Sequence, residues 1–157
     1  MHLPQPMSST SPPVPPLWMS RHVRCQIMRT IGARPAETGG ILLGPIGGSD
    51  ITGFYFDETA ECSHSTYTPD VPTLRRKMNE EWLPAGIDMK GFVHSHPGHF
   101  ARLSGGDLEF IRRLLQKNPD MAFFAAPIVI PRAFLLQPIL VSADRPDLQH
   151  RTHLRLF

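Results

Sequence analysis

The chain has 157 residues, 41% of them apolar and 19% charged, with a net charge of +2 when histidines are neutral. That length suits one domain, able to bury roughly 68–70% of its unfolded surface without disulfide staples. The small charge gives no case for a nucleic-acid partner, and no apolar run of 18 or more residues exists to span a membrane. Cys25 and Cys62 are the only cysteines and form no CxxC, so free thiols in a reducing, cytoplasmic setting are expected.

Residues 1–16 hold six prolines together with serine and threonine. This composition predicts a flexible, extended arm, followed by a folded domain over 17–157. The arm has neither the basic nor the apolar segment of a secretory signal. From Leu17 a helical pattern begins, with Val23, Ile27 and Ile31 on one face, ended by Gly32 and Pro35. Residues 38–44, TGGILLG, read as a buried strand, and 50–56, DITGFYF, as its hairpin partner across a Pro-Gly-Gly turn. Residues 57–71 read as loop or ragged strand. A helix is predicted over 73–83, between Pro72 and Pro84, then a strand over 89–94 and an amphipathic helix over 106–117. The basic clusters Arg75-Arg76-Lys77 and Arg112-Arg113 fall on these helices, as solvated faces. Apolar strands follow at 122–130 and 134–142, split at Pro131-Arg132, then a polar segment over 143–150 and a final strand over 152–157. This order predicts an α/β fold: a single domain with one mixed β-sheet sandwiched by α-helices.

The chemistry concentrates in residues 92–107, FVHSHPGHFARLSGGD. Side chains on a strand alternate faces, so His94 and His96 point the same way. Asp107 arrives at the start of the next helix. Two imidazoles and one carboxylate form a three-ligand set, which for zinc is the open, catalytic arrangement. Ser104-Gly-Gly-Asp107 is also a capping box, so the same residues can begin a helix and build a site. Glu37 stands at the mouth of the first buried strand. It reads either as an exposed loop glutamate or as a base beside a metal, in the manner of the glutamate in HExxH peptidases.

Glu37 in ETGGILLG, then GFVHSHP, six further residues and Ser104-Gly-Gly-Asp107 resemble the JAMM motif of the JAB/MPN metalloproteases, E…H-x-H-P-x6-S-x-x-D. Every specified position is filled. The resemblance implies a zinc peptidase or isopeptidase that cleaves after the C-terminal glycine of ubiquitin or a ubiquitin-like protein. It implies one zinc per chain on His94, His96 and Asp107, with water as fourth ligand. Glu37 would act as general base and then proton donor, and Ser104 would donate to the oxyanion. The short chain is more similar to the small bacterial members than to the eukaryotic deubiquitinases. Those members are found beside ubiquitin-like conjugation genes in antiphage operons and beside sulfur-carrier pathways. The implied partners are therefore a ubiquitin-like protein or its conjugate and E1-like or E2-like proteins. The alternatives are release of a sulfur carrier from a fusion, a step in cysteine biosynthesis, and a non-catalytic MPN-type scaffold. Gly98, Gly105 and Gly106 would wall the groove for a glycine tail. His99, an extra histidine in that loop, is either a substrate contact or a solvent-exposed residue. Phe54, Tyr67 and Trp82 are either distal contacts for the ubiquitin-like protein or plain core.

Overall fold

A computed structural model describes residues 13–35, 37–62 and 67–157. The first twelve residues of the proline-rich arm, and His64, lie outside them. The helix expected from Leu17 begins later. Leu17–Met19 is a strand, β1, with alternating burial, and the helix α1 spans Arg21–Thr30. Ser20 sets that boundary, because its Oγ accepts from the Val23 N–H at 3.1 Å and caps the helix. Immediately upstream, Val14 packs on the core and the Thr152 hydroxyl donates to the Pro15 carbonyl at 2.6 Å.

Strand β2, Gly39–Pro45, pairs antiparallel with β3, Gly53–Phe56, as the hairpin pattern predicts. The ragged region resolves into two short strands, β4 at Glu61–Cys62 and β5 at Tyr67–Thr68. The next helix, α2, starts earlier than predicted and spans Val71–Lys77. Asp70 caps it and Pro72 sits in its first turn, where a missing N–H is harmless. The coil then widens over Met78–Trp82 and tightens over Leu83–Ala85. Strand β6, Ile87–Ser95, lies at the centre, and α3 spans Gly105–Lys117. Both predicted distal strands are divided by prolines, which cannot donate to a ladder. Pro127 separates β7, Phe123–Ala125, from β8, Ile128–Ile130, and Pro138 separates β9, Leu135–Gln137, from β10, Ile139–Ser142. The polar segment ends in a strand that composition did not reveal, β11 at Gln149–Arg151, before β12 at Leu154–Leu156.

The main sheet runs β11-β10-β7-β6-β2-β3, with β8 also on β6 and β9 on β8. It is mixed, since β6 pairs antiparallel with β2 but parallel with β7 and β8. A Cβ at Gly91 would overlap the Ala125 carbonyl, so only glycine admits β7 so close to β6. Apolar clusters cover both faces. Leu42 and Val93 pack with Val23 and Ile27 of α1 and with Ile31 directly after it. Ile41 and Phe92 pack with Ile111 and Leu115 of α3, and with Trp82. The domain is thus the helix-covered mixed sheet that the sequence predicts. Phe92 on the α3 side fixes the phase of β6, and His94 and His96 follow it to that face.

The basic clusters behave as solvated helix faces. Arg76 and Lys77 pair with Glu80 and Glu81, and Arg112 and Arg113 both reach Glu109. Among the described residues, no helix is long and apolar enough to cross a membrane.

Candidate metal centre

The two histidines and the aspartate converge. His94 Nε2 lies 2.8 Å from His96 Nε2, and Asp107 Oδ2 lies 3.2 Å from the first and 3.5 Å from the second. Both rings are buried, at 1% and 4% exposure. His96 Nδ1 faces the Phe100 carbonyl at 3.0 Å. A carbonyl only accepts, so Nδ1 carries the proton of the neutral ring and Nε2 offers a lone pair toward the other two groups. Three electron-rich atoms aimed at one point need a cation or a shared proton between them. Among the described residues this is the one group of ligand atoms placed to hold a metal, all within 4.8 Å of one another. Its nitrogen, nitrogen, oxygen composition fits zinc with an open position.

The charges respond to this crowding. Burial pushes the Asp107 carboxyl up, but hydrogen bonds to His94 and His96 and the Ser104 backbone N–H outweigh it and hold the group well below the usual carboxylate range. For His96, burial favours the neutral ring, yet Asp107, Glu37 and the Phe100 carbonyl together raise its pKa.

Glu37 is not the exposed loop residue of the local reading, since it is 7% exposed. Register explains its arrival. Gly39 of β2 sits opposite His94 of β6. The Thr38 N–H donates to Ser95 Oγ at 3.1 Å, and the Ser95 N–H donates to the Thr38 carbonyl at 2.9 Å. The fully buried serine between the two histidines thus locks the chain directly after Glu37. Burial raises the Glu37 carboxyl above its usual range, against the pull of His96 and His94. A carboxyl raised in this way is a better proton acceptor than an ordinary glutamate, and can return the proton it takes.

The capping box is complete. Ser104 Oγ accepts from the Asp107 N–H at 3.1 Å, and the Ser104 N–H donates to Asp107 Oδ2 at 2.8 Å. As a cap the Ser104 oxygen accepts, which leaves its own proton free to donate. Capping and donating to an oxyanion are therefore compatible.

Glu37, His96, Ser104, Gly106 and Asp107 line one cavity of about 510 Å³. Gly105 beside it has open space where a Cβ would stand. Gly98 turns the chain at φ +64° and lines instead a second cavity, of about 630 Å³, on the far side of His96 between Arg34 and Arg132. His99 is exposed and belongs to neither the metal group nor these walls. Trp82 is a core residue, set edge-on to Tyr55 with centroids 5.5 Å apart. The sequence reading passed over Phe100, whose ring stacks on His96 at 5.8 Å and whose carbonyl orients it. It gave Tyr67 as either a distal contact or plain core, whereas Tyr67 lines the main cavity. The Phe-x-His-x-His alternation was the available signal for an aromatic wall on this face.

Residues 19–147 match the model of prokaryotic homologs of the JAB domain. The chain belongs to this family. JAB/MPN proteins include metalloproteases, and here the motif positions hold a group able to bind a metal. No curated protein matches the chain. Protein DSY2949 from Desulfitobacterium hafniense shares the fold with a TM-score of 0.64 and 21% identity, over 88% of this chain and 91% of that one. A protein from Salinibacter ruber gives 0.57 and 22%, over 89% and 91%. The JAB1/MPN domain protein AF2198 from Archaeoglobus fulgidus gives 0.52 and 16%, over 89% and 98%.

Proposed function

We propose that this JAB-family protein is a zinc-dependent peptidase or isopeptidase acting after the C-terminal glycine of a ubiquitin-like protein, in deconjugation or precursor processing. The observation that carries it is the convergence of a three-ligand group, a buried glutamate and a serine hydroxyl on one cavity. His94, His96 and Asp107 would hold the ion. A zinc ion with three protein ligands supplies a Lewis acid and brings the pKa of water to about 7. Glu37 takes the proton from the attacking water and returns it to the leaving amine. Ser104 donates its hydroxyl proton to the developing oxyanion without giving up the helix cap. A glycine tail, with no side chains to place, suits the approach beside Gly105 and Gly106, which present only backbone. The family setting of small bacterial members supports a place in a ubiquitin-like antiphage pathway.

The test is hydrolysis of a ubiquitin-like protein fused through its C-terminal glycine to a reporter. Wild-type protein with zinc is expected to cut after that glycine. Glu37→Ala is expected to abolish cutting and keep the zinc. Full activity of Glu37→Ala removes the glutamate from the mechanism, and zinc content unaffected by His94→Ala removes the metal site.

A further inference from the structure

His94 and His96 are held in different ways. The second nitrogen of a ligating histidine ordinarily fixes ring orientation through a hydrogen bond. His96 has that bond, to the Phe100 carbonyl. His94 Nδ1 is buried and meets no partner among the described residues. Its faces are packed instead. The Tyr67 ring stacks on it, with centroids 5.9 Å apart and planes 23° apart, and Phe92 tilts against it at 5.2 Å.

Tyr67 is fixed at two points. Its hydroxyl donates to Asp57 Oδ2 at 3.1 Å, and the same oxygen accepts from the Asp70 N–H at 3.1 Å. Its ring lies across Gly39, where a Cβ would come within 2.5 Å of the ring. Asp57 is 2% exposed, and its own N–H donates to the Gly39 carbonyl at 3.1 Å. Asp57 does not line the cavity, and its carboxylate touches the cavity wall at the Tyr67 hydroxyl.

We propose that Tyr67, anchored by Asp57, is a positioning residue for this centre: its ring holds the His94 imidazole. The χ2 torsion of histidine is broad, so an imidazole whose Nδ1 makes no hydrogen bond depends on packing, beside its Nε2 contacts, to keep its orientation. The anchor on Asp57 stops the Tyr67 ring from sliding off. The proposal rests on reading His94, His96 and Asp107 as a metal site.

Zinc affinity, by competition with a chromophoric chelator, and the visible spectrum of the cobalt-substituted protein test it. The proteins are wild type, Tyr67→Leu, Tyr67→Phe and Asp57→Asn, with melting of the metal-free forms measured alongside. Loss of an outer-sphere partner weakens metal binding roughly 10–100-fold, and Tyr67→Leu is expected in that range with altered cobalt bands. Tyr67→Phe keeps the ring and loses only the anchor. It is expected between wild type and Tyr67→Leu, with Asp57→Asn matching it. A residue that merely supports the fold would lower melting and leave the cobalt spectrum unchanged. A folded Tyr67→Leu protein with wild-type zinc affinity and spectrum overturns the proposal. If that variant does not fold, Tyr67→Phe decides, and wild-type affinity and spectrum there overturn it equally. A wild-type protein that takes up neither zinc nor cobalt overturns the metal-site reading itself, before any variant is compared.

Discussion

The Gln149 carboxamide pairs with both backbone groups of Leu103: the Leu103 N–H donates to Oε1 at 2.7 Å, and Nε2 donates to the Leu103 carbonyl at 3.1 Å. Leu103 is 4% exposed and directly precedes Ser104. A residue of β11 therefore clamps the loop that delivers Ser104 and Asp107. Gln149→Leu leaves both backbone groups unpaired, and an unpaired buried group costs about 1–3 kcal/mol. At roughly 2–4 °C per kcal/mol for a domain of this size, melting is expected to fall by several degrees. Thermal denaturation of the metal-free protein checks it, and unchanged melting would deny the clamp.

Ser104→Ala removes the helix cap and, in the proposed mechanism, the oxyanion donor. The cap accounts for about 1 kcal/mol of stability. A single oxyanion donor accounts for about 10²–10³ in turnover. Both losses are expected, because the hydroxyl accepts in one role and donates in the other. Ser104→Thr is expected to keep most of each. Melting and turnover measured on the same preparations show whether either loss occurs alone.

Zinc is expected to stabilise the fold, since it relieves the close approach of three electron-rich atoms. At a free concentration 100 times Kd, the gain is about 2.7 kcal/mol. Chelation should lower melting accordingly, and His94→Ala should melt at the same temperature with and without zinc. A wild-type protein indifferent to both zinc and chelator would contradict this.

Asp57 supplies a test in pH. Burial pushes its carboxyl up, against the bonds from Asp70 and Tyr67, and Oδ1 meets no partner among the described residues. A raised folded pKa means that the folded state binds the proton more tightly than the unfolded state, so the ionised form costs stability at neutral pH. That cost is relieved as pH falls through the folded value and is gone below the ordinary carboxylate range near 4. Asp57→Asn has no such titration. Wild-type stability relative to Asp57→Asn is therefore expected to rise as pH falls from about 7 to about 4. Urea denaturation of the metal-free proteins across that range measures it, and a flat or inverted difference would refute it.

The sequence by itself determined the grouping of His94, His96 and Asp107, a cluster able to hold a metal ion, because strand alternation and a capping box are local rules. His94 and His96 share a face through the period of two, and Asp107 enters at N3 of α3. It also determined the helix-covered mixed sheet, through apolar periodicity. It misplaced the start of α1, where the alternating Leu17 and Met19 pair with β12 from the far end of the chain. It missed β11, whose polar residues become a strand only by pairing with β10. The tertiary structure alone decided how Glu37 is buried beside the histidines, through the pairing of β2 with β6 and the Ser95–Thr38 bonds. It alone brought Gln149 to Leu103 and Tyr67 to His94. These contacts join segments far apart in sequence, and no local spacing encodes which backbone group a distant amide or ring will meet. The chain writes its ligands locally, and the fold supplies what holds them.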